Sequence, residues 1–101
     1  MKHSFNDTLL SIFIDEDLVS TSVARIRQEL LKIFENASLA QEVVVDVEHC
    51  SVIDSQGLNL LIALYKETTK RRLHFSVKGA SPSTVRLFEI FKLKEPFGIK
   101  N

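Results

Sequence analysis

The stretch E-V-V-V-D-V-E-H-C-S-V-I-D-S-Q-G-L-N-L-L-I-A-L-Y, Glu42 to Tyr65, decides how this chain folds. It opens on a run of valines, and a short β-branched run is what a buried strand requires. After a loop, Asp54 and Ser55 stand directly before the longest apolar run in the chain. Residues of that kind accept the unpaired amides of a first helical turn, so a helix is expected from Ser55 to about Arg71. A strand leading into a helix is half of a β-α-β unit with parallel strands.

Working outward, L-H-F-S-V at Leu73 to Val77 supplies the return strand. It alternates strictly: Leu73, Phe75 and Val77 face one way, His74, Ser76 and Lys78 the other. Gly79 breaks it, and Ser81-Pro82 is an N-cap followed by proline at the first helical position. The last helix is expected to turn Val85, Phe88 and Phe91 inward and to end near Leu93. F-G-I at Phe97 to Ile99 is a candidate for one further short strand.

On the N-terminal side, Lys2 to Phe5 reads as a short strand turning at Asn6-Asp7, a pair suited to tight turns. Thr8 to Ile14 reads as the next strand. From about Thr21 to Asn36, Val23, Ile26, Leu30, Ile33, Phe34 and Ala37 recur at helical spacing, with Ser20-Thr21-Ser22 offering the N-cap. The order is β-β-α-β-α-β-α, an α/β layer with a largely parallel centre.

With 101 residues, the chain fits one small domain spanning residues 1–101. A domain of this size buries about 60–70 % of its unfolded surface, so neither disulfide nor metal is needed. Thirteen basic residues balance thirteen acidic ones. That balance gives no global attraction to nucleic acid or to an anionic membrane. Lys70 to Arg72 closes the predicted helix, where cations suit the helix dipole. Cys50 is the single cysteine, which fits a reducing compartment. The acidic N-terminal twenty residues contain no signal-peptide core, and no apolar run approaches the ~20 residues that span a bilayer. A cytoplasmic protein without membrane insertion is the expectation.

The chemistry for catalysis is thin. His3, His49 and His74 are scattered, and no pair has metal-ligand spacing. Walker, G-x-S-x-G and dinucleotide fingerprints are missing. Three glycines, Gly57, Gly79 and Gly98, do not make a phosphate cradle. No cofactor, metal or catalytic residue is therefore expected.

What remains is Asp54-Ser55-Gln56-Gly57 and the helix behind it. Set at 100° per residue, Leu58, Leu61, Ile62, Tyr65 and Thr69 form the expected core stripe. Asn59, Ala63, Lys66 and Lys70 form a solvated face, and Leu60 and Leu64 fall outside the stripe, with Leu60 expected at the surface. A phosphoryl group on Ser55 adds about −1.5 to −2 charges at pH 7 beside Asp54, while the helix N-terminus tolerates it. A binding face there switches its electrostatics while its backbone stays in place.

V-V-V-D-V, then V-I-D-S-Q-G-L, then L-I-A-L-Y-K resembles the STAS domain of bacterial anti-sigma factor antagonists. S-V-K-G-A-S-P-S-T-V-R-L-F-E-I-F-K-L is similar to that family's strand, glycine break and closing helix. The likeness runs from about Thr8 to Phe97. It implies a single α/β domain with a mixed central sheet of about four to five strands and about three to four helices. It also implies a non-catalytic partner switch in transcription regulation. On that likeness, Ser55 is the phosphorylation site, and Asp54, Gln56, Gly57, Leu58 and Leu60 flank the docking face. The implied partners are an anti-sigma factor that is also a serine kinase, and a serine phosphatase that resets the switch.

Two other readings exist. A STAS accessory subunit of an ABC-type lipid transporter keeps the fold and changes the partner. A two-component receiver domain takes I-F-I-D-E-D as its acidic pair, Asp46 as phospho-acceptor and Lys78 as its lysine, and needs converging oxygen ligands for Mg²⁺.

Overall fold

The sheet is laid down in chain order. The structure, a computed structural model, describes residues 1–99. Strands β1 (Lys2–Asn6), β2 (Leu9–Phe13), β3 (Glu42–Asp46) and β4 (His74–Lys78) are neighbours in that sequence. β1 runs antiparallel to β2, and the β2-β3 and β3-β4 pairs are parallel. Helices α1 (Val23–Glu35), α2 (Ser55–Lys70) and α3 (Pro82–Ile90) complete a mixed α/β domain.

Parallel crossovers are right-handed almost without exception. Because β2-α1-β3 and β3-α2-β4 advance the same way across the sheet, both crossover helices come to one face. There Leu10, Ile12, Val43, Val45, Phe75 and Val77 pack with Ile26, Leu30 and Phe34 of α1 and Leu58 and Leu61 of α2. The opposite face carries Ser11, Val44 and Ser76 in register, all half-buried. A receiver's doubly wound parallel sheet is thereby ruled out: β1 is antiparallel, and no reversal of strand order opens a crevice.

Several local expectations are corrected. The β1-β2 turn is made by Asp7 and Thr8, one residue later than expected, with Asp7 at φ 56. A two-residue hairpin needs a positive φ at its first central position, and aspartate tolerates one. Ser22 precedes α1 without capping it. Its hydroxyl donates to the Asp17 carbonyl at 2.7 Å and accepts from the Val19 amide at 3.2 Å, bracing the loop instead.

In α2 the buried set is Gly57, Leu58, Leu60, Leu61, Leu64 and Thr68. Leu60, expected at the surface, is 2 % exposed, and Thr69 is exposed while Thr68 is buried. The arc is wide because α2 has two neighbours, the sheet and α1; Arg71 at its end lies over the Phe34 ring of α1 at 5.6 Å. A single-stripe projection accounts for one neighbour only.

Phe91, expected inward, sits at the C-cap of α3 and is 56 % exposed. The helix ends one turn early, and Phe97 fills the space. Phe97 is fully buried, with the Phe88 ring at 5.0 Å and the Phe75 ring at 5.8 Å. It is not in a strand: Gly98 at φ 61 turns the chain away, and among the described residues one bond, from the Val77 amide to the Phe97 carbonyl, joins this segment to β4.

Candidate functional site

The α2 N-terminus is built by Asp54. Its backbone is extended (φ −91, ψ −173), and its Oδ1 accepts from the amides of Gln56 and Gly57, both at 2.9 Å. These are two of the amides that the first turn leaves unpaired. Oδ2 accepts from the Ser20 amide at 3.0 Å, thirty-four residues away in sequence. One carboxylate therefore caps the helix and ties the β2-α1 loop to it. The bonds from Gly57, Ser20 and Gln56 hold its carboxyl below the ordinary 3.8. With the cap assigned to Asp54, Ser55 is the first residue of the helix and is exposed.

The β2-α1 loop continues this surface. The Leu18 amide donates to the Val52 carbonyl at 3.0 Å, and the Asp54 amide donates to the Leu18 carbonyl at 3.1 Å, forming a parallel bridge between Leu18 and Ile53. Asp17 Oδ1 accepts from the amides of Ser51 and Val52 at 2.9 and 3.0 Å. Gly57 fits because it has no side chain: a Cβ there would stand 2.1 Å from the Leu18 carbonyl oxygen. The first turn of α2 is seated directly on the loop backbone.

The STAS domain family matches residues 2–101, nearly the whole sequence. The chain belongs to the STAS family. No curated protein matches this STAS domain. Among solved structures it is similar to the anti-sigma factor antagonist SpoIIAA in its unphosphorylated form: TM-score 0.69, 19 % identity, covering 88 % of this chain and 81 % of that one. The Bacillus cell fate determinant SpoIIAA in the phosphorylated form gives TM-score 0.72 and 20 % identity, covering 95 % and 86 %. A sulfate transporter family protein from Wolinella succinogenes gives TM-score 0.74 and 19 % identity, covering 90 % and 72 %. At these identities the likeness establishes the shared fold.

Of the residues expected at the docking face of this STAS domain, Ser55 and Gln56 are exposed and Asp54 is half-buried. Gly57, Leu58 and Leu60 are buried, so they shape the helix start from beneath and present no side chain to a partner. At the surface beside them stand Asn59, exposed as the helical projection expects, and three loop residues that the projection did not cover: Val52, 51 % exposed, and the exposed Ser20 and Thr21. Local patterning carries no signal for Asp17 or Ser20, because their bonds to this site span more than thirty residues.

The surroundings are acidic. Asp46 is the last residue of β3, and Asp15, Glu16, Asp17, Glu48 and Asp54 follow the C-terminal ends of β2 and β3. The N-terminal amine pairs with Asp15 at 3.1 Å, Arg25 with Glu16, and Lys78 loosely with Asp46 at 4.0 Å. Carboxylates outnumber these cations by three. Beneath them, burial and then the charges of Asp17, Asp15, Asp46 and Glu16 push the Cys50 thiol up to about 12. Its Sγ rests 3.5 Å from the Ile14 carbonyl. A thiol so placed is an inert core residue. Among the described residues, no helix is long and apolar enough to cross a membrane, and no three metal-ligating side chains gather.

Proposed function

We propose that this STAS domain is a non-catalytic, phosphorylation-controlled switch of the anti-sigma factor antagonist type. The observation that carries the reading is the exposed Ser55 at the first position of α2, left available because Asp54 makes the cap. In the unphosphorylated form the surface around Ser55 binds an anti-sigma factor that is also a serine kinase. Within that complex the Ser55 Oγ attacks the γ-phosphorus of ATP. The new O–P bond forms as the bond to the β-γ bridging oxygen breaks, ADP leaves, and a base on the kinase takes the hydroxyl proton. The phosphoserine then carries about −1.5 to −2 charges into a region already rich in carboxylates, and repulsion releases the partner. A serine phosphatase hydrolyses the ester and resets the domain.

The likeness in fold to both SpoIIAA forms supports this reading, because the same architecture accommodates phosphorylated and unphosphorylated states. The likeness to a sulfate transporter family protein supports a second one, in which the same helix start docks on a transporter component without phosphorylation. Affinity capture from the source organism with wild type, Ser55→Ala and Ser55→Asp, followed by phosphosite mapping, separates them. The switch predicts one protein kinase retained by Ser55→Ala and lost by Ser55→Asp, with phosphate on Ser55 of the wild type. A transporter component bound equally by all three, with Ser55 unmodified, contradicts it.

A further inference from the structure

The two edges of the sheet differ. β4 is joined on its outer side to the C-terminal segment, whose Phe97 carbonyl accepts from the Val77 amide. β1 has no such cover: all five of its residues, Lys2 to Asn6, are exposed, Phe5 at 40 %. In a two-residue hairpin the residues flanking the turn exchange both backbone bonds, and the pattern alternates from there. Asn6, Ser4 and Lys2 therefore bond Leu9, Ser11 and Phe13, while His3 and Phe5 aim their N–H and C=O groups outward. Among the described residues, no other backbone bond reaches those four groups. Of the devices that blunt a sheet edge, β1 has neither proline nor bulge, and a single lysine at its start.

We propose that β1 is a homodimerisation edge, pairing antiparallel with β1 of a second copy of this chain about a two-fold axis at Ser4. The strand K-H-S-F-N is self-complementary in that register. His3 comes opposite the partner's Phe5, and each such pair exchanges two bonds through the groups left open. Phe5, on the side of the buried Leu10, gains an imidazole as its outer neighbour. Ser4 faces the partner's Ser4 on the axis. Lys2 comes opposite the partner's Asn6, beside the turn that carries the partner's Asp7, so a cation meets an acid at each end. Within the chain, neither Lys2 nor Asp7 is ion-paired among the described residues. With a formal net charge of zero, two copies meet no bulk repulsion. A foreign strand would have to supply this register; a second copy already has it. The two four-stranded sheets become one continuous sheet. β1 lies two strands from β3, which leads into α2, so the pairing does not depend on the role of Ser55.

The test is sedimentation velocity on the untagged full chain, 11.5 kDa, in a concentration series up to about 1 mM. Pairing of one five-residue strand is a small interface, so the mass is expected to rise with concentration toward twice that value. His3→Pro removes an outward donor and spares every bond to β2, and it should hold the chain at monomer mass throughout. Ser4→Cys reads the register. The two Ser4 Cα atoms form a non-hydrogen-bonded pair about 4.5 Å apart, within disulfide reach, whereas the two Lys2 Cα atoms lie about 14 Å apart. Mild oxidation should therefore cross-link Ser4→Cys about tenfold faster than Lys2→Cys, or more. The native Cys50 is buried and does not compete. A wild-type chain that stays monomeric across the series overturns the proposal. So does a dimer indifferent to His3→Pro, or equal cross-linking of the two cysteine variants. Ser4→Cys cross-linked in extract only to a different protein overturns the second copy as the occupant. Circular dichroism identifies a His3→Pro chain that has unfolded, and the two cysteine variants then decide alone.

Discussion

Replacing Gly57 with alanine tests whether α2 is seated on the β2-α1 loop as described. Helix propensity alone says the change stabilises, by at most about 1 kcal/mol. The geometry says the opposite. The added Cβ would lie 2.1 Å from the Leu18 carbonyl oxygen, 2.7 Å from its Cβ and 2.8 Å from its carbonyl carbon. Contacts this short with backbone are not relieved by a rotamer change, so either the helix or the loop must move. Moving Leu18 strains the bond its carbonyl accepts from Asp54 and the bridge to Ile53. Overpacking of this kind costs about 1–3 kcal/mol, and the loosened backbone bonds add to it. Net destabilisation of about 1–3 kcal/mol lowers Tm by roughly 5–15 °C in a domain of about 100 residues. Differential scanning calorimetry of wild type and Gly57→Ala at neutral pH reads this directly. An unchanged or higher Tm refutes the seating of α2 on Leu18.

Leu60→Ala removes a side chain that is 2 % exposed, so a loss of about 2–5 kcal/mol is expected from urea unfolding, far more than a surface leucine gives. Asp54 titrates below its ordinary value, so its stabilisation is fully present above 3.8 and is lost as pH falls through the lower folded value. Asp54→Asn should therefore flatten part of the acid-side decline in a thermal-unfolding series below about pH 4; an identical decline removes the cap from the account. Cys50, pushed up to about 12, should resist a thiol-specific reagent at pH 8 in the native state and react promptly in denaturant.

The parts of the fold that depend on local pattern were legible in the sequence. β3, α2 and β4 lie within a residue or two of their expected bounds because valine runs, an aspartate cap and strict alternation act locally. Ser81 caps α3 through a bond accepted from the Thr84 amide, with Pro82 at the first position, as the Ser-Pro pair implies. What the pattern did not contain was the second neighbour of a helix. Leu60 is buried because α2 packs on α1 as well as on the sheet, and nothing in α2 itself announces α1. Phe91 and Phe97 exchange roles for a similar reason: the early end of α3 and the turn at Gly98 decide which ring enters the core. At the site, Asp54 was visible as a capping residue. Its bond to Ser20 and the hold of Asp17 on Val52 arise only when two distant loops meet.

The central claim is that phosphate on Ser55 decides who binds. The most direct measurement is the dissociation constant of the captured kinase for the purified chain, unmodified and stoichiometrically phosphorylated at Ser55, by isothermal titration calorimetry at physiological salt. The account predicts binding weakened by about 10- to 100-fold on phosphorylation, the usual size of a coupling between a modification and a docking event. Equal affinities for the two forms would contradict it.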